Sequence, residues 1–302
     1  MRRWWLTMNK EILKFIKDTE RKVTPDGIAT TFNNAQKLMK LPKFIQDFII
    51  KQNTKNNQYM GFVVEPYSLF LAYEITADLV KDYLPDTYEL VPISIFEHSE
   101  KKLCAIIGCF NVHTSVFWGS RFELYLLAKN KKTDLVSWLI CDYESNTFHF
   151  DPGKGFIPST LEKSVFTTAY DGTLICDIKS KVSNTRIDLL IDINQYNCIN
   201  LNQRLWIEGN LSIDYAGALD NKGNDPFGLI FDPMEMKCAQ HIIAEQIEIK
   251  HLDFGFIKTS MKPFEACCFP FAQHYMTTVF PEGHLMQDEN DLYAKISEIV
   301  AE

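Results

Sequence analysis

Between about Met60 and Gly255 the chain runs as short apolar and aromatic stretches cut by tight polar breaks, and this rhythm most narrows what it can fold into. Strand candidates fall at about 67–75, 90–96, 103–112, 121–128, 134–142, 146–150, 163–169, 173–180, 186–192, 206–214 and 246–250. His98-Ser99-Glu100-Lys101, Lys129-Asn130-Lys131-Lys132 and Asp171-Gly172 supply turn chemistry between several of them. Many short strands at modest intervals predict a sandwich or barrel, whereas a parallel sheet would alternate strands with helices. The 22 Phe and 12 Tyr suit pleated, half-buried surfaces. The expected fold class is mainly β with added helices (α+β), its antiparallel strands forming one closed or nearly closed barrel.

Helical signals lie at both ends. From Asn9 to about Asn57, apolar residues recur at spacings of three and four: Ile12, Leu13, Phe15 and Ile16, then Leu38, Leu41, Phe44, Ile45, Phe48 and Ile49. Thr24-Pro25-Asp26-Gly27 separates the two stretches, and Pro42 is expected to bend or split the second. Inside the β zone, Thr76 reads as the cap of a short helix that Leu84-Pro85 ends. Asp232-Pro233 reads as the start of a helix running to about Gln246, since proline after an aspartate cap is a strong start signal. Asp288 to Ala301 reads as an amphipathic helix carrying Leu292, Ile296, Ile299 and Val300. The expected division is a helical extension over 1–58, a β-barrel domain over 59–287 and a C-terminal helix over 288–302.

Composition excludes several classes. Hydrophobic residues at 46% and charged residues at 23% are ordinary for a globular chain. With 31 Lys and Arg against 39 Asp and Glu, the formal charge of −8 argues against a nucleic-acid partner, which calls for a cationic surplus. Lys37, Lys40, Lys43 and Lys51 lie close together and read as a solvated helix face. No apolar run reaches the length of a membrane span, and no secretory signal follows the start, whether translation begins at Met1 or Met8. The eight cysteines are scattered, mostly in apolar stretches, and read as free thiols in a reducing cytoplasm. Cys238 with His241, and Cys267 and Cys268 with His274, lack metal-site spacing, so no metal is expected. No dinucleotide fingerprint or nucleophile elbow is present, and no cofactor is expected.

The order of features from Tyr67 onward resembles the acetoacetate decarboxylase-like superfamily. The resemblance rests on Tyr73-Glu74-Ile75-Thr76-Ala77-Asp78, Tyr83-Leu84-Pro85 and Tyr88-Glu89-Leu90-Val91-Pro92. It continues through Ile107-Gly108-Cys109-Phe110, Gly119-Ser120-Arg121-Phe122-Glu123-Leu124-Tyr125, Tyr170-Asp171-Gly172 and Phe231-Asp232-Pro233-Met234. It covers roughly two-thirds of the chain, as a divergent member, leaving out the first sixty residues and the tail. It implies a double-layered barrel with an interior pocket, in which a buried lysine forms a Schiff base with a keto substrate. A second lysine beside it lowers its pKa. The chain departs from that pattern. Asp151-Pro152-Gly153-Lys154-Gly155-Phe156 offers one lysine without an adjacent cation, and Phe110-Asn111-Val112-His113-Thr114 has no carboxylate where the family places a glutamate. Acetoacetate decarboxylation itself is therefore not expected.

Two constellations stand on their own chemistry. Arg121 and Glu123 share a face of an extended segment, where a guanidinium could hold a substrate carboxylate with Glu123 orienting it; an ordinary surface pair is the plainer alternative. Asp142, Glu144 and Asn146 also alternate, as a buried acid–base pair with a polar neighbour or as a solvated strand face. The resulting expectation is a protein that takes a small oxo-acid or other carbonyl compound into its interior, with Schiff-base, lyase-type chemistry as its catalytic form. The catalytic candidates are Lys154 as the amine and Glu123 or Glu144 for proton transfer; Arg121, Asp142 and Asn146 are the substrate-binding candidates. The rivals are a non-catalytic binding barrel for an apolar or aromatic small molecule and a scaffold for protein partners. Homo-oligomerisation stays open.

Overall fold

The computed structural model describes residues 14, 33–54, 59–114, 117–147, 149–151, 155–213, 226–278 and 281–301. Apart from Lys14, the first expected helix lies outside the described residues, as does Lys154. Pro42 splits the second helical stretch, leaving a turn and a half at 33–38 and a helix at Lys43–Thr54.

The strands in chain order are β1 (Tyr59–Val64), β2 (Ser68–Glu74), β3 (Tyr88–Leu90), β4 (Cys104–Thr114), β5 (Phe117–Asn130), β6 (Val136–Ser145), β7 (His149–Asp151), β8 (Gly155–Ile157), β9 (Leu161–Thr168) and β10 (Thr173–Ser180). They continue with β11 (Arg186–Asp192), β12 (Cys198–Asn200), β13 (Gly209–Ile213), β14 (Leu229–Phe231), β15 (Cys238–Ile242), β16 (Glu248–Phe254), β17 (Ile257–Lys258), β18 (Glu265–Phe269) and β19 (Gln273–Thr278). As expected, the chain is mainly antiparallel β with added helices. β4 and β5 form the spine of the large sheet, paired from Ala105 with Leu126 to Thr114 with Phe117. The other edge of β4 is shared, its first half by β2 and its last residues by β1. The sheet therefore forks into a β2-β18-β15-β12 branch and a β1-β19-β14 branch.

The ladder does not close into a barrel. On the far side of β5 lie β6 and then β13, which runs parallel to β6. Among the described residues, one isolated bridge, Leu211 to Phe227, joins β13 to the chain entering β14. A continuous closing ladder would need a run of paired residues where this edge has a single pair.

Two cores lie on opposite faces of the large sheet. One gathers Phe70, Phe110, Tyr125, Trp138, Trp206, Phe231, Phe269 and Tyr275, and the C-terminal helix Glu289–Ala301 covers it with Leu292, Tyr293, Ile296 and Ile299. The other lies between the large sheet and a second antiparallel sheet, β17-β16-β11-β10-β9, where Leu124, Phe122 and Ile107 meet Leu174, Ile178 and Leu189. From Ser120 to Ala128 β5 thus has no solvent face: both sets of its alternating side chains are buried.

Several elements differ from the sequence reading. The strand expected at 90–96 is only β3, with isolated bridges at Ile93 and Phe96 past Pro92, and the strand expected at 146–150 is the short β7. The expected helix from Asp232 to Gln246 is a single 3-10 turn at Pro233–Met236, then strand β15 and a second turn at Ala244–Gln246. The cap signal itself is sound, because the Asp232 side chain accepts from the Met234 N–H at 2.9 Å. The helix stops there because the backbone of Cys238–Ile242 fills the gap between β12 and β18. The strand expected at 206–214 begins later, since Leu205, Trp206 and Ile207 belong to the short helix Gln203–Ile207. Trp138 donates from its ring to the Leu205 carbonyl at 3.2 Å, fixing that helical turn on the sheet. Thr76 does cap its turn, accepting from the Leu79 N–H at 3.4 Å.

Candidate functional site

On β5, the side chains of Arg121, Glu123 and Tyr125 project into the aromatic core while Phe122, Leu124 and Leu126 fill the opposite one. Arg121 and Glu123 are 6% and 4% exposed. Charged side chains are almost never so buried without a partner. Here Arg121 Nε donates to Glu123 Oε1 and the Tyr125 hydroxyl donates to Glu123 Oε2, so the carboxylate is engaged on both oxygens. The guanidinium carbon lies 4.9 Å from the centre of the Tyr143 ring, which faces Glu123 across the β5–β6 ladder. Such a cation over an aromatic face gains most where water is excluded.

Gly108 makes room for this group. It faces Glu123 across the β4–β5 ladder, and a Cβ there would come to 3.0 Å from the Tyr125 ring and 3.1 Å from that of Phe70. Any larger residue would push those rings aside. Tyr125 in turn packs edge-on against Trp138 at 5.3 Å between ring centres.

A second polar group, not anticipated from sequence, faces the same core. Ser68 donates to Gln273 Oε1 at 3.0 Å, Gln273 Nε2 to the Tyr275 oxygen at 3.0 Å, and the Tyr275 hydroxyl to Met236 Sδ at 3.1 Å. Burial pushes the pKa of both Tyr125 and Tyr275 well above the usual phenol range, with the Glu123 charge adding to the effect on Tyr125 and that of Glu235 on Tyr275. Both hydroxyls therefore stay protonated as hydrogen-bond donors near neutral pH. Gln273 and Tyr275 are adjacent-but-one in a short strand, and no local signal marks them as more than core-facing residues.

The other expected site residues lie elsewhere. Asp142 and Glu144 face Leu124 and Phe122 across the β5–β6 ladder and so share the opposite core. The sheet separates them from Arg121 and Glu123. Glu144 is buried and accepts from Ser183 Oγ at 2.7 Å, while its Oε2 meets no protein partner. Burial raises the Asp142 carboxyl to about 6; the Tyr143 N–H, donating at 2.8 Å, opposes the rise and the neighbouring Glu144 adds to it. Asn146 is exposed just beyond β6 and accepts from the Ser120 N–H at 2.8 Å, holding the start of β5. Among the described residues, no group of three or more His, Cys, Asp or Glu is arranged to hold a metal ion. Cys238 and His241, expected on a helix, are strand residues paired with Asn200 and Cys267.

No protein-family model matches the chain, and no curated protein does. Among solved structures, the acetoacetate decarboxylase from Legionella pneumophila subsp. pneumophila str. Philadelphia 1 is 10% identical over 75% of this chain and 88% of that one, with a TM-score of 0.41. An acetoacetate decarboxylase-like enzyme from Sphingomonas wittichii RW1 is 8% identical over 74% and 92%, with a TM-score of 0.37. The enduracididine biosynthesis enzyme MppR, complexed with the condensation product of pyruvate and imidazole 4-carboxaldehyde, is 6% identical over 72% and 85%, with a TM-score of 0.32. The chain is thus similar to acetoacetate decarboxylase-like structures.

Proposed function

We propose that the aromatic core face of the large sheet binds a small molecule bearing a carboxylate or carbonyl oxygen, such as an oxo-acid, with Arg121 as its polar anchor. One observation carries this reading: a guanidinium fixed by Glu123 at 6% exposure, over the Tyr143 ring and opposite Phe110 across the β4–β5 ladder. A buried ion pair is weak evidence for stability, because apolar residues of similar volume commonly serve a core as well. A planar donor held in a desolvated setting is well suited to recognising a planar oxygen group. Glu123 orients the guanidinium, and the Tyr125 hydroxyl, donating to its other oxygen, holds the carboxylate in place. In the catalytic form of the reading, the Lys154 amine condenses with the ligand's keto group, forming an imine and releasing water. Glu123 is then the proton-transfer residue on the same face as Arg121; Asp142, Glu144 and Asn146 belong to the surroundings of the opposite core and the end of β6.

A second reading, a binding site for an apolar or aromatic molecule, draws on the ring-rich lining of the same core. Calorimetric titration with a panel of small 2-oxo acids and of apolar aromatic compounds separates the two. Arg121→Lys keeps the charge and loses the fork of donors, so it should weaken oxo-acid binding about tenfold while leaving any apolar ligand unaffected. Binding of apolar compounds alone, indifferent to Arg121→Lys, would replace the first reading with the second. Borohydride reduction with a bound oxo-acid, read by intact mass and peptide mapping, tests Lys154 separately. An adduct that Lys154→Ala abolishes supports the imine, and binding without an adduct leaves a binding site alone.

A further inference from the structure

The helix Lys43–Thr54 is packed with its largest apolar side chains outward. Its inward contact is polar: Gln46, 5% exposed, accepts from the Phe156 N–H at 2.9 Å and donates to the Leu41 carbonyl at 2.9 Å. Gly155, at φ +86°, leaves the space that the Gln46 amide occupies. The helix is thereby pinned to the β7–β8 hairpin, with Ile45, Ile49 and Ile50 half-buried. On the opposite arc, Phe44 is 73% exposed and Phe48 63%, with Leu41 from the preceding turn at 39%. One turn apart on a helix, Phe44 and Phe48 form a continuous ridge.

Cations surround this ridge. Lys37, Lys40 and Lys51 are exposed, and Lys43 pairs with Asp47 at 2.6 Å. The setting is set apart from the rest of the molecule: residues 1–55 carry 12 Lys and Arg against 5 Asp and Glu, while the remaining 247 carry 19 against 34. An exposed apolar ridge bordered by long basic side chains needs a partner that is both anionic and apolar.

We propose that the Leu41–Phe44–Phe48 ridge lies in the surface of an anionic phospholipid bilayer, with Lys37, Lys40 and Lys51 against the headgroups. The rings enter the boundary between headgroups and acyl chains, and the lysine stems lie along it with their ammonium groups in the phosphate layer. The helix lies on the membrane and does not cross it. Twelve residues reach about 18 Å against a hydrocarbon core of about 30 Å, and no described helix is long and apolar enough to span. A second copy of the chain meets only half of the requirement. Its remainder is acidic, but among the described residues the other exposed large apolar side chains come one at a time from separate strands, turns and short helices: Leu79, Val165, Tyr170, Val182, Ile199, Met234, Ile243 and Leu285. Among the described residues no receiving apolar surface matches the two rings, whereas a bilayer supplies charge and hydrocarbon together.

Flotation of the full chain with phosphatidylcholine vesicles containing phosphatidylserine, beside vesicles of phosphatidylcholine alone, tests this. The expected result is binding to the anionic vesicles that weakens with added salt. Phe44→Ser and Phe48→Ser should each lower the partition about tenfold, the value of one buried ring. Because both rings are exposed, the circular dichroism spectrum and unfolding midpoint should not change. Failure of the unmodified protein to float with anionic vesicles overturns the proposal. So does equal flotation by the double variant, which would mean that another segment makes the contact. Self-association in sedimentation velocity that these substitutions abolish, with no vesicle binding, would assign the ridge to a second copy instead.

Discussion

Asp142 sits where a carboxylate is costly. Burial raises it from an ordinary 3.8 to about 6, because ionising it strands a charge beneath the second sheet. The folded state therefore holds its proton more tightly than the unfolded chain. The stability linked to that proton is fully present below about pH 4 and is lost as the pH rises through about 6, by roughly 3 kcal/mol at most. Asp142→Asn keeps an oxygen for the Tyr143 N–H and removes the charge. Its urea midpoint should match the unmodified protein's near pH 4, rise above it between pH 4 and 6, and stay above it beyond. A difference independent of pH would refute the assigned cause. From the sequence, Asp142 and Glu144 could be placed on one side of an extended segment, and β6 carries them so. Which side that was could not be read, because alternation fixes relative positions and the packing of a distant sheet decides what each face meets.

At the level of strands, Gly108 determines how closely β4 and β5 can bring their rings together. Gly108→Ala would place a methyl 3.0 Å from the Tyr125 ring and 3.1 Å from that of Phe70. The rings would have to rotate or the strands separate, at a cost of about 1–3 kcal/mol, and Tyr125 would be drawn away from Glu123. Equilibrium denaturation should show that loss, and an unchanged midpoint would show that the core has slack. The spine strands were legible because each combines β-branched or aromatic residues with clear polar ends. Two misread segments show where that legibility fails. Ala239 and Ile242 are three apart and suit a helix face as well as a strand; what makes them a strand is the open edge of β18, more than twenty residues further on. Leu205-Trp206-Ile207 reads as apolar strand, yet the carbonyl that Trp138 requires holds it as a helical turn.

Taken whole, the molecule protects most of its thiols. Cys104, Cys109, Cys176, Cys267 and Cys268 are buried, Cys141 and Cys238 partly so, and Cys198 is exposed. In the native protein, a water-soluble disulfide reagent should label Cys198 first and the five buried thiols only on unfolding, reaching eight without added reductant. A shortfall in denaturant would mean that some are oxidised. The mainly β character was open to a reader of the sequence, and the failure of the sheet to close was not. Closure depends on whether β13 and the approach to β14 form one pair or several, a matter of register that no local pattern encodes. The fork at β4 has a consequence of its own. Among the described residues, the ladders of the β2 and β1 branches share only β4, so neither depends on the other for backbone pairing. A disturbance that frays one branch from its outer strand can travel inward as far as β4 without breaking a ladder bond in the other. Amide protons should therefore be protected in a graded order, least at β12 and β14 and most along β4 and β5, the common root of both branches.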